Sequence, residues 1–373
     1  MKSWTHGRTP LVWCGALCTL SIAFASLAQQ AAKPASVDED PSSRPSETMP
    51  RASKSLLLDL VRTASGYVVV GERGHVLRSD DGRAWTQLTV PTRSALTSIA
   101  TADGQLWVGG HDGVILHSVD GGQTWKSQRR DPFRLAEGEQ AADHDPRQGA
   151  PILDIHFRDA SHGFAIGAHS LMLVTADGGT TWTPKHVLAA PAAPDKPAAP
   201  MEGDLFSAED LELEEEADPH FNAIAAAGEH SLVIVGERGT FLRSDDDGET
   251  WRRLPFPYKG SMFGVLWLGE QRLLAYGLRG NVYESADHGG SWSKVDTGAS
   301  TSLMGATTLE GGGVVLAGAN GTLLRRDGAS GGFTASVFRN PAGETPALAG
   351  VAPAANGAFV LVGDKGADLY TPQ

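Results

Sequence analysis

Aspartates that recur at a fixed distance before tryptophans are the first residues of this chain that suggest chemistry, because carboxylates can bind metal ions or act as a general acid and base. The pattern is Ser/Thr-x-Asp-x-Gly-x-x-Trp. Four copies carry it in full: Asp120 with Trp125, Asp177 with Trp182, Asp246 with Trp251, and Asp287 with Trp292. A further copy, Asp80 with Trp85, is one residue short.

The composition of this pattern favours a structural role. An Asp side chain can accept hydrogen bonds from backbone N–H groups of its own hairpin, and Gly supplies a position of positive φ. The Trp that begins the next strand can pack into a sheet. We therefore expect these residues to build hairpins, and we predict no catalytic residue and no metal site.

Other reactive side chains are sparse. The twelve histidines are scattered, without the His-x-His or His-Glu-x-x-His spacing of metal sites. Both cysteines, Cys14 and Cys18, lie in an apolar N-terminal segment, so a processed chain would contain no thiolate and no disulfide. No cofactor is expected. The net charge of −13 argues against nucleic acid as a partner, because phosphate binding needs a basic surface.

Residues 1–28 have the composition of a secretory signal peptide. Lys2 and Arg8 precede an apolar run of 14 residues, and Ser26-Leu27-Ala28 supplies small residues before a cleavage point. We therefore predict an exported protein, with a retained N-terminal anchor as the alternative. Residues 29–54 are rich in Pro, Ser and Ala and are predicted to form a disordered lead-in.

Residues 55–373 consist of a repeated unit. Each copy has an apolar run, Gly-x-x-Gly, a second apolar run and then the Asp–Trp pattern, as in Leu106–Trp125 and Val233–Trp251. The first glycines of the seven aligned turns are Gly71, Gly110, Gly167, Gly236, Gly277, Gly318 and Gly363. The period is about 40 residues, and insertions at about 131–150 and 189–219 lengthen two of the intervals.

Each copy divides into four short strands separated by Gly/Asp turns. A four-stranded unit of about 40 residues, repeated several times, is typical of a β-propeller blade. We therefore predict an all-β fold, a seven-bladed β-propeller of four-stranded antiparallel blades. The seventh copy ends before its Asp–Trp pattern, so residues 47–54 are expected to supply the outer strand that closes the last blade.

The Asp–Trp hairpins resemble the bacterial neuraminidase repeat, or Asp-box. Together with the Gly-x-x-Gly turns, they make residues 56–370 similar to the photosystem II stability/assembly factor family of seven-bladed propellers. That resemblance implies a non-enzymatic lumenal or periplasmic scaffold that helps to assemble an integral membrane complex. The two long insertions depart from the photosynthetic pattern, and similar proteins of non-photosynthetic bacteria are often associated with RND-type exporters.

The Gly-x-x-Gly turns should lie at the same end of the propeller as the connections between blades. Their middle residues include Arg73, Arg238, Arg279 and Lys365, which would place four cations around the channel mouth of an acidic protein. The assembly-factor family is similar in carrying an Arg-rich patch. Arg offers bidentate contacts to carboxylates, so we predict a protein or peptide partner. The alternative is solvated turn residues whose acidic neighbours cancel the charge.

Both insertions should lie at this end as well. In the second one, prolines at every third residue precede Glu202–Asp218, which contains nine carboxylates and no basic residue. Phe206 and Leu211 could form the staple of a short acidic helix that includes Glu214. Such a helix would dock on a basic partner surface, and a disordered acidic loop is the alternative.

Asp-boxes also occur in sialidases and other glycosidases, which leaves a sialidase-like or other Asp-box glycoside hydrolase as the alternative function. That resemblance implies three arginines around a carboxylate, a Tyr/Glu pair and an Asp. The nearest match to the expected Phe/Tyr-Arg-Ile-Pro segment, Phe133-Arg134-Leu135, lacks the Pro and lies in the first insertion. None of the five tyrosines pairs with a Glu in any recognisable pattern.

Overall fold

A computed structural model describes residues 40–372 except 136–137, 139, 141–143 and 189–217. The described residues form seven antiparallel sheets in chain order. The strands of the first four are β1 Leu57–Thr63, β2 Gly66–Gly71, β3 His75–Ser79, β4 Thr86–Leu88; β5 Leu96–Ala102, β6 Gln105–Gly110, β7 Ile115–Ser118, β8 Lys126–Arg129; β9 Ile152–Phe157, β10 Gly163–Gly167, β11 Met172–Thr175, β12 Thr183–Pro184; β13 Phe221–Ala226, β14 Leu232–Gly236, β15 Phe241–Ser244 and β16 Arg252–Arg253.

The other three sheets complete the ring. Their strands are β17 Met262–Trp267, β18 Leu273–Gly277, β19 Val282–Ser285, β20 Ser293–Val295; β21 Leu303–Thr308, β22 Gly312–Gly318, β23 Thr322–Gly328, β24 Thr334–Val337; β25 Leu348–Pro353, β26 Phe359–Gly363 and β27 Gly366–Tyr370. The first strand of each sheet contacts the first strand of the next, and β1 contacts β25. The predicted seven-bladed β-propeller is confirmed.

The core is divided among the interfaces between blades. Seven clusters of buried apolar residues are present in the described part of the chain, one between each pair of neighbouring blades. The second strands read as continuous apolar runs, as in Gly66–Gly71, because both of their faces are covered. Packing blades in a ring therefore buries sheet faces that one blade alone would expose.

The Asp-boxes build hairpins, as their composition predicts. Asp120 accepts hydrogen bonds from the backbone N–H groups of Gln123 and Thr124, both at 2.9 Å, and from the hydroxyls of Ser118 and Thr124. Each box also lies close to the preceding blade. In the fourth blade, for example, a Cβ at Gly248 would lie 2.4 Å from the ring of Phe164 in the third blade. The aspartates are thus bonded within their own hairpins.

The first box requires a correction, because its aspartate is Asp81 and not Asp80. Asp81 accepts hydrogen bonds from the N–H groups of Arg83 and Ala84 at 2.8 and 3.1 Å, and from the Ser79 hydroxyl at 3.1 Å. Asp80 makes none of these bonds. Both residues stand near the expected distance from Trp85, and only Asp81 keeps the two-residue separation from the box serine.

The sixth box is replaced by an ion pair. Arg326 occupies the position of the box hydroxyl, and its guanidinium lies 2.6 Å from a carboxylate oxygen of Glu284 in the preceding blade. The Arg326 guanidinium also stacks over Phe333, 5.0 Å from the ring centroid, where other boxes have Trp. Arg326 is buried, so this blade interface depends on a buried charge pair.

The N-terminal lead-in differs from its prediction. Residues 40–54 contain two 3₁₀ turns, Pro41–Ser43 and Ala52–Lys54, and no strand. They pack on the propeller: Ser46 donates a backbone hydrogen bond to Val90, and Lys54 pairs with Asp368 of β27 at 2.9 Å. The seventh blade therefore has three strands among the described residues. The expected outer strand at 47–54 is wrong, and disorder is wrong for 40–54.

Candidate functional site

The Gly-x-x-Gly turn connects the second and third strands of a blade through a sterically demanding backbone. In the first blade Arg73 has φ 56° and Gly74 has φ 69°, both in the left-handed region. A Cβ at Gly71 would lie 2.2 Å from the carbonyl oxygen of Leu56, and one at Gly74 2.2 Å from that of Thr92. Other segments of the same chain approach the turn so closely that only glycine, which has no Cβ, fits at these two positions.

The same turn recurs around the ring and lies beside the connections between blades. The third residue of the turn has a φ of 53–57° in six blades: Arg73, Asp112, His169, Arg238, Arg279 and Asn320. In the third blade Ser170, with φ 57°, stands in place of the last glycine. We call the first strand of each blade its inner strand. Backbone N–H groups in the turns donate to the segments that lead into the inner strands, as Glu72 does to the carbonyl of Leu56 at 3.1 Å. We call the end of the propeller that carries these turns the turn face, and the opposite end, with the Asp-boxes, the box face.

The four predicted cations are all exposed on the turn face. Arg73 and Lys365 belong to neighbouring blades, the first and the seventh, and Arg238 and Arg279 belong to the fourth and fifth. The cations thus form two pairs of neighbours rather than an even ring. The Lys365 ammonium lies 3.3 Å from the Glu344 carboxylate. A hydrogen bond from Asn340 and, next in size, this contact with Lys365 lower the pKa of Glu344.

The first insertion lies on the turn face, where its start is bonded to a turn. The backbone N–H of Asp131 donates to the carbonyl of Asp112 at 2.8 Å, and Arg129 pairs with Asp131 at 2.8 Å. Arg147, near its end, forms an ion pair with Asp218, where the second insertion rejoins the fourth blade. Most of that insertion, including Phe206, Leu211 and Glu214, lies outside the described residues.

Histidines and a glutamate meet where the second insertion rejoins the propeller. The rings of His169 and His220 are 5.1 Å apart, edge to face, and Glu237 accepts a hydrogen bond from the backbone of His220 at 3.2 Å. Burial, His220 and Arg147 lower the pKa of His169. At neutral pH this corner of the turn face therefore contributes a neutral His169 beside the carboxylates.

Two carboxylates in the inner strands were not among the predicted residues. Asp59 accepts hydrogen bonds from the N–H groups of Leu60 and Ile99 at 2.7 and 2.8 Å, and so links the first blade to the second. Asp154 links the third blade to the fourth, accepting from Ile155 and Ile224 at 2.8 and 2.9 Å. Each aspartate stands at a β-bulge that all seven inner strands share.

Burial dominates the electrostatics of this pair. It raises the pKa of both Asp59 and Asp154 to about 7, against the backbone hydrogen bonds, which lower it. The charge of Asp59 raises the pKa of Asp154 further, and burial and both aspartates raise that of Tyr276. The sequence signal was an aspartate at the third position of two inner strands, flanked on both sides by apolar residues.

Three of the five tyrosines lie in the core. Tyr67 is buried and donates to the carbonyl of Pro353 at 3.0 Å, and Tyr276 and Tyr283 are also buried in the core. Among the residues that the structure describes, no three His, Cys, Asp or Glu side chains lie close enough to hold a metal ion. Within the same residues, no helix has the length and apolar character needed to cross a membrane.

Comparisons with known proteins agree with this architecture. A family model described as photosynthesis system II assembly factor YCF48 matches residues 42–134 and 144–196. The chloroplastic photosystem II stability/assembly factor HCF136 of Oryza sativa subsp. japonica is 30% identical over 109 residues, which are 29% of this chain and 21% of that protein. The photosystem II assembly lipoprotein Ycf48 of Synechococcus sp. (strain CC9902) is 28% identical over 102 residues, 27% of this chain and 23% of that one. The chain thus matches about a fifth of the length of these relatives.

A solved structure extends the likeness to most of the chain. The structure described as YCF48 bound to D1 peptide has a TM-score of 0.59 and 16% identity, covering 89% of this chain and 100% of its own. At that identity the likeness shows the fold alone. The family model and the curated relatives, each over part of the chain, make this chain similar to the photosystem II assembly factors.

Proposed function

We propose that this protein is an exported, non-enzymatic accessory factor that binds a segment of a membrane complex on its turn face. The observation that carries the proposal is the exposure of Arg73, Arg279 and Lys365 with Arg238 on one end of an acidic propeller. Guanidinium groups bind carboxylates in bidentate fashion, which suits an acidic peptide segment. A YCF48 structure that contains a D1 peptide supports the same kind of partner.

The location and the partner class are part of the proposal. The apolar segment at residues 1–28 and the lipoprotein among the relatives support export to the periplasm, beside the inner membrane. The partner we propose is an integral membrane complex with a periplasmic segment. An RND-type exporter is the first candidate, because similar proteins of non-photosynthetic bacteria accompany such exporters.

The test is affinity purification from gently solubilised membranes with a C-terminal tag. We compare the wild type with Arg73→Glu/Arg279→Glu on the turn face. The matched control is Arg83→Glu/Lys126→Glu, which reverses two exposed charges at the box face. Recovery of the partner should fall about tenfold or more in the turn-face variant alone, because each substitution replaces a cation that pairs with a partner carboxylate by a carboxylate that repels it.

Two results would contradict the proposal. One is that no membrane protein copurifies with the wild type. The other is that both double variants lose the partner equally, because the effect would then follow net charge and not the turn face. Deletion of residues 189–217, which include Phe206, Leu211 and Glu214, tests the second insertion in the same assay. Retention of the partner by this deletion variant would exclude the second insertion as a docking arm.

A further inference from the structure

We propose that residues 130–135, at the start of the first insertion, form a docking subsite for a peptide segment in which an apolar side chain stands next to a carboxylate. The subsite lies on the turn face and rests on the proposed protein-binding function. It differs from the four cations of the Gly-x-x-Gly turns, because it belongs to the insertion and not to the repeat. We call it the insertion subsite.

Two large apolar side chains of the insertion subsite are exposed to solvent. Phe133 is 55% exposed and Leu135 is 42% exposed, and four further exposed residues complete the set of large apolar side chains of this kind in the described part of the chain. These two are separated by one residue and so form a local apolar pair. Clustered exposed apolar groups commonly mark interaction sites, and aromatic anchors commonly dominate them.

Phe133 is held in its exposed position by its surroundings. Its ring packs edge-on against His144 with a centroid distance of 4.5 Å. Gly149 lies beneath its backbone with φ +76°, and a Cβ there would be 2.7 Å from the Phe133 nitrogen. The exposed ring is thus a fixed feature of the loop, which lowers the ordering cost of binding.

The cations of the subsite supply the second half of the recognition. Arg134 pairs with the buried Asp40 at 3.1 Å, which joins the loop to the lead-in. Arg130 is exposed and has no hydrogen-bond or ion-pair partner within the described ranges. It borders a cavity of about 320 Å³ that Ser42 and Gln148 also line. The carboxylates of Asp40 and Asp131 line it too, and they are already paired with Arg134 and Arg129. A carboxylate placed there would meet a guanidinium with unused donors.

The charge of the protein selects a peptide over a lipid surface. An anionic membrane would be repelled by a chain of net charge −13, with the carboxylates of Asp145 and Asp218 close to the same insertion. One carboxylate beside an apolar side chain needs only the unpaired Arg130 and the ring of Phe133. The family model matches up to residue 134 and resumes at residue 144, so the subsite lies at the end of the first matched stretch.

The experiment uses the mature chain and labelled octapeptides of Gly and Ser that carry a central Glu-Leu, Gln-Leu or Glu-Ser pair. Binding is followed by fluorescence polarisation. We expect Glu-Leu to bind most tightly, and Arg130→Gln or Phe133→Ser to weaken it about fivefold or more. Arg83→Gln and Val119→Ser, both exposed on the box face, are the matched controls and should leave binding unchanged.

Several results would overturn the insertion subsite. Equal binding of the three peptides is one, and insensitivity to Arg130→Gln and Phe133→Ser is another. Phe133-dependent binding to phosphatidylglycerol vesicles, without peptide binding, would mean a lipid anchor instead. Retention of the membrane partner by Phe133→Ser, together with its loss in Arg73→Glu/Arg279→Glu, would refute the subsite and leave the proposed function intact.

Discussion

The two inner-strand aspartates make the stability of the propeller depend on pH in an unusual direction. Asp59 and Asp154 are half-buried and have a pKa of about 7 in the folded protein, against an ordinary value of 3.8. The folded state therefore binds protons more tightly than the unfolded state between these values. Their contribution to stability is complete below pH 3.8 and is lost as the pH rises through 7.

The size of the effect follows from the shift in pKa. One pKa unit corresponds to 1.36 kcal/mol, so a shift of about three units corresponds to about 4 kcal/mol for each carboxyl. Both side chains are partly accessible, and solvent screens part of that energy. We therefore expect about 2–4 kcal/mol for each group between pH 4 and pH 8.

Replacement of both aspartates by Asn removes this dependence. An amide cannot ionise, but it offers one oxygen to the two N–H groups that each carboxyl now accepts, which costs about 1–3 kcal/mol at every pH. The Asp59→Asn/Asp154→Asn variant should therefore be less stable than the wild type at pH 5. It should approach or exceed the wild type at pH 8.

Urea unfolding followed by tryptophan fluorescence measures the difference at several pH values. The matched control is Glu310→Gln, an exposed carboxyl in the sixth blade with no bond among the described residues. A difference between wild type and double variant that stays constant from pH 5 to pH 8 would refute the reasoning. It would show that the backbone N–H groups keep both carboxyls ionised throughout.

Three further predictions use the same unfolding assay. Gly248→Ala should cost about 1–3 kcal/mol more than Gly104→Ala, because both have positive φ but only the first would clash with a neighbouring ring; equal costs would contradict this. Asp81→Ala should lower the urea midpoint while Asp80→Ala leaves it unchanged, and the reverse order would refute the corrected box assignment. Arg326→Met should cost about 3 kcal/mol, since it leaves a glutamate unpaired at a blade interface; a neutral result would mean that the ion pair contributes nothing net.

The fold was predictable because its signals are local and repeated. A Gly-x-x-Gly turn and an Asp-box each specify a hairpin through bonds that span four or five residues, so the same letters recur wherever the same hairpin is built. The error at Asp80 shows the limit of this argument. Two adjacent aspartates both satisfy the approximate spacing to Trp85, and only the bond geometry selects Asp81.

Features that depend on distant contacts were not predictable. The lead-in looked disordered because it is rich in Pro and Ser, yet Ser46 and Lys54 find partners 44 and 314 residues away. The role of Asp59 likewise depends on the N–H of Ile99 in the next blade. The turn-face cations stand in the repeated turns, and their grouping into two neighbouring pairs follows from the order of blades around the ring.

The turn face carries residues that the stability of its turns does not call for. Backbone bonds hold each turn, such as Glu72 to Leu56, and the side chain at the left-handed position takes no part in them. A non-glycine residue there costs about 1 kcal/mol, least for Asn, which the sixth blade has at Asn320. Arg73 and Arg279 occupy the same conformation without that advantage. On the box face, by contrast, the box aspartates and hydroxyls bond within their own hairpins. Arg73 and Arg279 are therefore residues whose side chains the turns themselves do not require.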